Sequence, residues 1–311
     1  MNKNIAIGVD IGGSHITAGA VNLSTGVLLR ETLAEREIDS NDQAHSIISD
    51  WGSCIRETMA KVPADNLSGL GFAMPGPFDY VNGVALFKGV PKFENLYGFN
   101  ISDAIRSTIE VTDEFPVRFI NDASAFAVAE SWAGKAKGTK RSVSITLGTG
   151  FGSAFIAGNI PVVDGPDVPK MGCVWHLPFH DGIADEYFST RWFLKEYAAI
   201  SGVSCTGVKE LAERVPLDLL AGVVFKEFGV NLATFLAPWL MRFGAEVLVM
   251  GGNISHAWNL FGDPFTKMLA EYGCYTRTEI SDLKEDAALL GSAYLLEDNF
   301  WKSVQHALPL M

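Results

Sequence analysis

Cysteine is scarce in this chain: four in 311 residues, at Cys54, Cys173, Cys205 and Cys274, with no CxxC pair among them. So sparse a set signals neither a disulfide framework nor a zinc site. Cationic residues are also few, 24 Lys and Arg against 36 Asp and Glu, and the net charge of −12 argues against a nucleic-acid surface, which needs clustered cations. No block of like charge and no low-complexity tract occurs. The longest apolar runs are short or broken by Lys, Arg or Glu, so no bilayer span is expected. Only four residues precede the first strand, which leaves no room for a signal peptide, and a reducing cytoplasm is the expected setting. Three familiar motifs are missing. There is no GxxxxGK[ST], no GxSxG elbow, and Gly148-Thr149-Gly150-Phe151-Gly152 has the wrong spacing for a dinucleotide GxGxxG.

What is present is a pair of glycine hairpins. Ile5, Ile7 and Val9 form an apolar strand that runs into Asp10, then the turn Gly12-Gly13-Ser14, and Ile16 to Val21 starts a second strand. Glycine at such a tip permits positive φ or lets another group approach the amides closely. Successive free N–H groups make an anion-binding concavity, and a nearby Asp can hold a cation or its water shell. Alone, this reads equally as a plain hairpin. Ser142 to Ala157 repeats the design, strand, Gly148-Thr149-Gly150 turn, strand. Two such hairpins, each heading half of the chain, point to duplicated halves facing one nucleotide. A length of 311 residues suits one large or two medium domains.

Along the chain, Val27 to Glu31 reads as a third strand, and Ile47, Ile48, Trp51, Ile55, Met59 and Val62 mark a helix over about 42–61, stopped by Pro63. Leu67 to Ala73 is a strand ending in Met74-Pro75-Gly76-Pro77, and Asn82-Gly83 turns a hairpin. A helix over about 101–110 has Ser102 or Asn100 as its cap. The strand Val117 to Ile120 stops at Asn121-Asp122, before an Ala-rich helix to Trp132. Open α/β sheets place ligands at such strand ends, although Asp122 could simply cap the helix. Residues 158–191 read as a long irregular loop. Residues 219–243 form a core helix kinked or split at Pro238, and Glu246 to Met250 a strand. Gly251-Gly252-Asn253 then turns into the helix containing His256 to Tyr272. That turn could admit a purine or ribose, or be a tight connection only. Over Glu285 to Leu296, Gly291 and Ala293 suit a closely packed helix. The twofold alternation fits two α/β domains with a cleft between them.

Asp10-Ile11-Gly12-Gly13-Ser14, Asn121-Asp122, Gly148-Thr149-Gly150-Phe151-Gly152 and Met250-Gly251-Gly252-Asn253 together resemble the ROK family of repressors, open reading frames and sugar kinases, in the right order over almost the whole chain. The resemblance implies the two-domain actin-like ATPase (ribonuclease H-like) α/β fold with an interdomain cleft. The smaller domain is then 1–119 with the C-terminal helix at about 292–311, and the larger one 120–291. It implies ATP-dependent phosphorylation of a hexose, glucose or a related sugar, usually at the 6-hydroxyl. Asp122 would be the general base and Asn121 would hold a neighbouring hydroxyl. Asp10 would hold magnesium through water, Gly12, Gly13, Ser14 and His15 would bind phosphates, Gly148, Thr149 and Gly150 would grip phosphate too, and Gly251, Gly252 and Asn253 would lie near adenosine. A homodimer is implied as well.

The departures from the family lie in one segment. Where the family carries Gly-Glu-Ile-Gly-His and then a cysteine-rich zinc loop, this chain has Gly172-Cys173-Val174-Trp175-His176, and Leu177 to Ala184 contains no cysteine. No zinc is therefore expected. His176 matches a sugar ligand or is a loop histidine bonded to backbone. Glu186 matches the later sugar-binding Glu or is a solvated carboxylate at a helix start. Gly76 matches a backbone contact to sugar. The alternative is a sugar-binding member that is non-catalytic, or a regulatory one; family repressors carry a DNA-binding segment before the first hairpin, where this sequence has four residues.

Overall fold

The computed structural model describes residues 3–311. Three antiparallel strands come first: β1 (Ile5–Ile11), β2 (His15–Asn22) and β3 (Val27–Glu37). Ala6 to Val9 are all buried, as in a strand covered on both faces. The helix α1 (Ala44–Met59) turns Ile47, Ile48, Trp51, Cys54 and Ile55 into the core at spacings of three and four. Next come β4 (Leu67–Met74), the small hairpin of β5 (Phe78–Asp79) and β6 (Val84–Ala85), and α2 (Ile101–Thr108). Asn100 rather than Ser102 caps α2: its side chain accepts the Asp103 N–H at 3.1 Å, a contact worth about 1 kcal/mol. The strand β7 (Val117–Asn121) leads straight into α3 (Asp122–Trp132).

The sheet order is β3-β2-β1-β4-β7, with β4 parallel to both β1 and β7. Asp10 pairs with Ala73, and Ala73 with Ile120. The carboxyl ends of three parallel strands therefore finish level. At about 4.8 Å between strands, Asp10 and the Asn121-Asp122 step start roughly 10 Å apart on one sheet end.

The second half repeats the plan. It holds β8 (Arg141–Leu147), β9 (Phe151–Ala157), β10 (Ile160–Pro161), β11 (Pro178–Phe179), β12 (Gly182–Ile183), α4 (Ala184–Tyr187), α5 (Thr190–Ser201), α6 (Val208–Arg214), α7 (Leu219–Phe243), β13 (Val247–Gly251), α8 (Trp258–Glu271) and β14 (Arg277–Ile280). Its sheet order, β10-β9-β8-β13-β14, copies the first: a three-stranded meander with two parallel strands beside its first member. The stretch 158–191, expected to be irregular, carries β10, the β11–β12 hairpin, α4 and the start of α5. Elements of two to four residues are too short to show a period in the sequence. The helix α7 runs unbroken with Pro238 inside it, not split there. It also has the length and apolar composition of a membrane span, against expectation, yet Phe225, Phe228, Leu232 and Leu236 are buried in this unit's core. Gly229 lets α8 close on α7, since a Cβ there would lie 2.4 Å from the Phe261 carbonyl oxygen.

The chain then returns to the first sheet with α9 (Asp286–Tyr294) and α10 (Asp298–Val304). A Cβ on Gly8 would stand 1.9 Å from the Leu289 carbonyl oxygen, and one on Gly291 1.8 Å from that of Ala125. Glycine is what allows α9 to lie on β1 and against α3 at backbone distance. The two compact units follow: one runs through Ala133 and takes up Glu285–Met311, the other is Gly134–Lys284. The family resemblance implies breaks at 119/120 and about 291/292. Contacts put α3 and the whole of α9 in the first unit because the two helices pack on each other, with Trp132 stacked on Tyr294 at 4.2 Å.

Candidate functional site

The first glycine turn is closed by the Gly12 N–H on the His15 carbonyl at 2.9 Å. Neither Gly12 nor Gly13 has positive φ. Of the two reasons for glycine at this tip, only close approach holds. A Cβ on Gly13 would lie 2.4 Å from Lys92 Nζ, and one on Gly12 3.3 Å from the His15 ring. Ser14 Oγ and His15 Nδ1 stand 3.3 Å apart.

Asp122 is the first residue of α3 and does not cap it. Asn121 is the cap, its Oδ1 accepting the Ser124 N–H at 3.2 Å. That leaves the Asp122 carboxylate to accept the Ala123 N–H at 2.8 Å and the Asn121 amide at 3.0 Å, while the residue keeps an open face to solvent. The protein crowded around the carboxyl raises it above the usual range; the two hydrogen bonds and the more distant charge of Lys92 work against that. Asp10 is pushed up to about 7, first by burial and then by the negative charges of Asp122 and Glu285. A hard oxygen donor that other carboxylates repel fits magnesium well. Among the described residues no three of His, Cys, Asp and Glu gather closely enough to hold a metal directly.

A hydrogen-bonded chain through Tyr80 ties the end of β4 to the same strand end, with Gly76 beside it. The Tyr80 hydroxyl donates to the Met74 carbonyl at 3.1 Å and accepts from Asn121 Nδ2 at 3.3 Å, and a Cβ on Gly76 would stand 3.6 Å from it. Gly76, Asn121 and Asp122 are thus brought together within the first unit. Tyr80 carried no signal in the sequence.

In the second unit, His176 Nδ1 lies 3.8 Å from Cys173 Sγ, and its ring meets Trp175 edge-on. Burial, then Lys170, holds the imidazole below its ordinary value, and burial pushes the Cys173 thiol up to about 11. Glu186 turns back on its own helix start, accepting the Ile183 N–H at 3.1 Å. Its neighbour Asp185 does something the sequence did not announce: it accepts the Phe151 N–H at 2.7 Å, beside the second glycine turn, and pairs with Arg191. That turn is held further by Thr190, whose N–H and hydroxyl both donate to the Gly148 carbonyl at 2.8 and 3.0 Å. Thr149 and Gly150 form its tip, with the Gly148 N–H donating across to the Gly150 carbonyl at 3.1 Å. Gly251 ends β13, and Gly252 takes φ +81° where a Cβ would lie 2.4 Å from the Leu147 carbonyl oxygen. Packing alone therefore requires glycine at 252, and Asn253 opens a short 3₁₀ turn.

The chain is similar to known proteins over most of its length. The ROK family profile matches residues 6–299. Thermotoga maritima glucokinase is 26% identical, covering 96% of this chain and 99% of its own. An N-acetyl-D-glucosamine kinase of Aliivibrio fischeri is 26% identical over 80% of this chain and 84% of its own. Among solved structures, the ROK hexokinase of Thermus thermophilus superposes with TM-score 0.74 at 21% identity, over 95% of this chain and 99% of that one. A ROK glucokinase of Streptomyces griseus in complex with glucose and AMPPNP gives 0.70 at 22%, over 94% and 99%. The fold is the mixed α/β, actin-like ATPase fold of these structures. Two meander-plus-parallel sheets, a strand-end Asn121-Asp122 and a profile match from Ala6 to Asn299 establish that this chain belongs to the ROK family.

Proposed function

We propose that this protein is an ATP-dependent sugar kinase, phosphorylating a hexose, glucose or a related sugar, at its 6-hydroxyl with Asp122 as general base. The observation that carries the reading is the Asp122 carboxylate itself. It is held by two hydrogen bonds at a helix start, open on one face, and raised toward the working pH, as a proton acceptor needs to be. The names of the relatives, glucokinase and N-acetyl-D-glucosamine kinase, support a sugar as acceptor.

In this reading Asp122 takes the hydroxyl proton as the sugar oxygen attacks the terminal phosphorus of ATP in line, and the bond to the ADP oxygen breaks. Gly12, Gly13, Ser14 and His15 present the first turn's amides to the phosphates. Gly148, Thr149 and Gly150, with Gly251, Gly252 and Asn253, are the second unit's nucleotide contacts. Gly76, Asn121, His176 and Glu186 are the sugar contacts. Asp10 would hold hydrated magnesium, which when bound neutralises phosphate charge. The setting is cytoplasmic and the assembly a homodimer. A coupled assay of ADP release across hexoses, amino sugars, N-acetylated sugars and fructose tests the proposal. Sugar-dependent release is expected with at least one of them, and none with any would overturn it. Cys173, standing where the resemblance places a Glu, favours one other reading, a sugar-binding protein that no longer turns over. Calorimetric sugar binding without ADP release would select it.

A further inference from the structure

Lys92 is the residue closest to the first glycine turn that no motif assigned. Its Nζ, Cε and Cδ lie 2.4, 2.5 and 2.8 Å from where a Cβ on Gly13 would be, so the end of the side chain rests on the bare backbone of the tip. The loop that carries it is built to hold it there. Phe93, next in sequence, is buried at 1% exposure and adopts left-handed φ of +61°, a costly conformation for a bulky residue. Its N–H donates to the Ser40 carbonyl at 2.9 Å, and its ring packs edge-on against Trp51 at 5.5 Å and tilted against Phe87 at 5.7 Å. Two residues on, Asn95 Nδ2 donates to the carbonyls of Asn41 and Asp42 at 3.0 and 2.9 Å. On the other side, the Gly89 N–H donates to Glu94 Oε1 at 3.0 Å. An exposed lysine is usually a solvated one on a yielding loop. Here the backbone is pinned on both sides and strained in the middle, while the charged end reaches across to another element.

The charge of Lys92 also acts on the Asp122 carboxyl, lowering what burial raises. A cation resting on the tip of a turn of backbone amides, with its charge felt at the Asp122 carboxyl, is suited to meet a phosphoryl group handled by both. We propose that Lys92 is a further catalytic residue, its ammonium meeting the terminal phosphoryl group of the nucleotide as that group moves from the ADP oxygen to the acceptor oxygen. Lys92 moves no proton: the hydroxyl proton goes to Asp122, and the electron pair of the broken bond stays on ADP. This rests on the kinase reading above, but one arm of its test does not.

The test compares Lys92→Ala and Lys92→Arg with wild type. Removing one preorganised donor to developing charge typically lowers turnover by about 10²- to 10³-fold, and that loss in kcat is expected for Lys92→Ala. Sugar affinity by calorimetry should be unchanged, Lys92→Arg should recover most of the rate, and added ethylammonium should partly rescue Lys92→Ala. Wild-type kcat in Lys92→Ala, or an equal loss in Lys92→Arg, would overturn the proposal. The second arm measures ATP and ADP binding without sugar. Lys92→Ala should weaken ATP but not ADP, since only ATP carries the terminal group. If wild-type protein phosphorylates no sugar, the kinase reading fails, while the ATP-to-ADP affinity ratio still decides the placement of Lys92. An unchanged ratio overturns it.

Discussion

The two glycine turns are near copies in sequence and opposites in surroundings. The first, at Gly12-Gly13-Ser14, has a cation laid on it: Lys92 contacts the bare backbone at Gly13. The second, at Gly148-Thr149-Gly150, has an anion beside it: Asp185 accepts the Phe151 N–H at 2.7 Å. In each case the decisive group comes from a part of the chain distant in sequence, Lys92 from the loop after β6 and Asp185 from α4, not from the turn. A hairpin of free amides prefers an anion wherever it occurs, but a neighbouring charge decides how strongly. The first unit also holds Asp10 and Asp122, both raised above the ordinary carboxylate range. The second turn is braced by Asp185 and Thr190 from the starts of α4 and α5, as a rigid support would be.

The largest expected difference lies at Asp122. Asp122→Asn keeps the hydrogen bonds that a carbonyl oxygen can accept and should fold normally, yet lose about 10²- to 10⁴-fold in kcat, the usual share of general-base catalysis. Turnover near wild type in a sugar-kinase assay would remove the proton acceptor from the first unit and level the comparison.

Asp10 provides the next contrast through pH. Its carboxyl sits at about 7 in the folded chain against 3.8 for the ordinary group. Between those values the native state binds more protons than the unfolded one, so stability must fall as pH rises through the window. The contribution is complete below about 4 and gone above about 7. Discounted for the solvent that still reaches Asp10, the loss is on the order of 2 kcal/mol. Urea unfolding of metal-free protein at pH 5 and pH 8 should show it, and Asp10→Asn should flatten it. An unchanged pH slope in the variant would mean that burial and the neighbouring carboxylates do not raise Asp10 as described.

Smaller still is the effect at Gly13. Gly13→Val must displace the Lys92 side chain, a movement that flexible atoms can make, so the fold should survive. The apparent ATP constant should rise by about tenfold, roughly 1.4 kcal/mol of lost phosphate contact. Because Val and Lys92 compete for one space, Gly13→Val should add little in a Lys92→Ala background. Full additivity of the two substitutions would separate the lysine from the turn.

Much of this was legible in sequence, and the rest was not for definite reasons. The hairpins, the Asn121-Asp122 step and the small Gly291 face show because local pattern and local structure coincide there. Asn100 and Asn121 as caps were half legible: the cap type was clear, but the choice between neighbours depends on which side chain reaches the N3 amide. Lys92, Tyr80 and Asp185 were invisible, since each acts on an element distant in sequence and belongs to no period. The domain breaks moved because the contact between Gly291 and Ala125 is long-range. The short elements of 158–191 stayed hidden because a two-residue strand has no alternation to detect.

The least of the effects tests the second turn. A Cβ on Gly148 would meet nothing within 4 Å, so Gly148→Ala should leave stability unchanged. Asp185→Ala removes the acceptor of a buried amide, because Phe151 is 2% exposed, and should cost about 1 kcal/mol or more in a urea midpoint. Asp185→Asn separates the two roles of that side chain, since its carbonyl oxygen can still accept the Phe151 N–H while the negative charge is gone. If the turn also holds phosphate, the nearby carboxylate, partly offset by its Arg191 partner, opposes it by less than about 1 kcal/mol at solvent-exposed distances. The Asn variant should then keep wild-type stability and lower the apparent ATP constant a few-fold. A raised constant would instead mean that the carboxylate helps nucleotide binding, and the contrast between a cation at one turn and an anion at the other would lose its functional meaning.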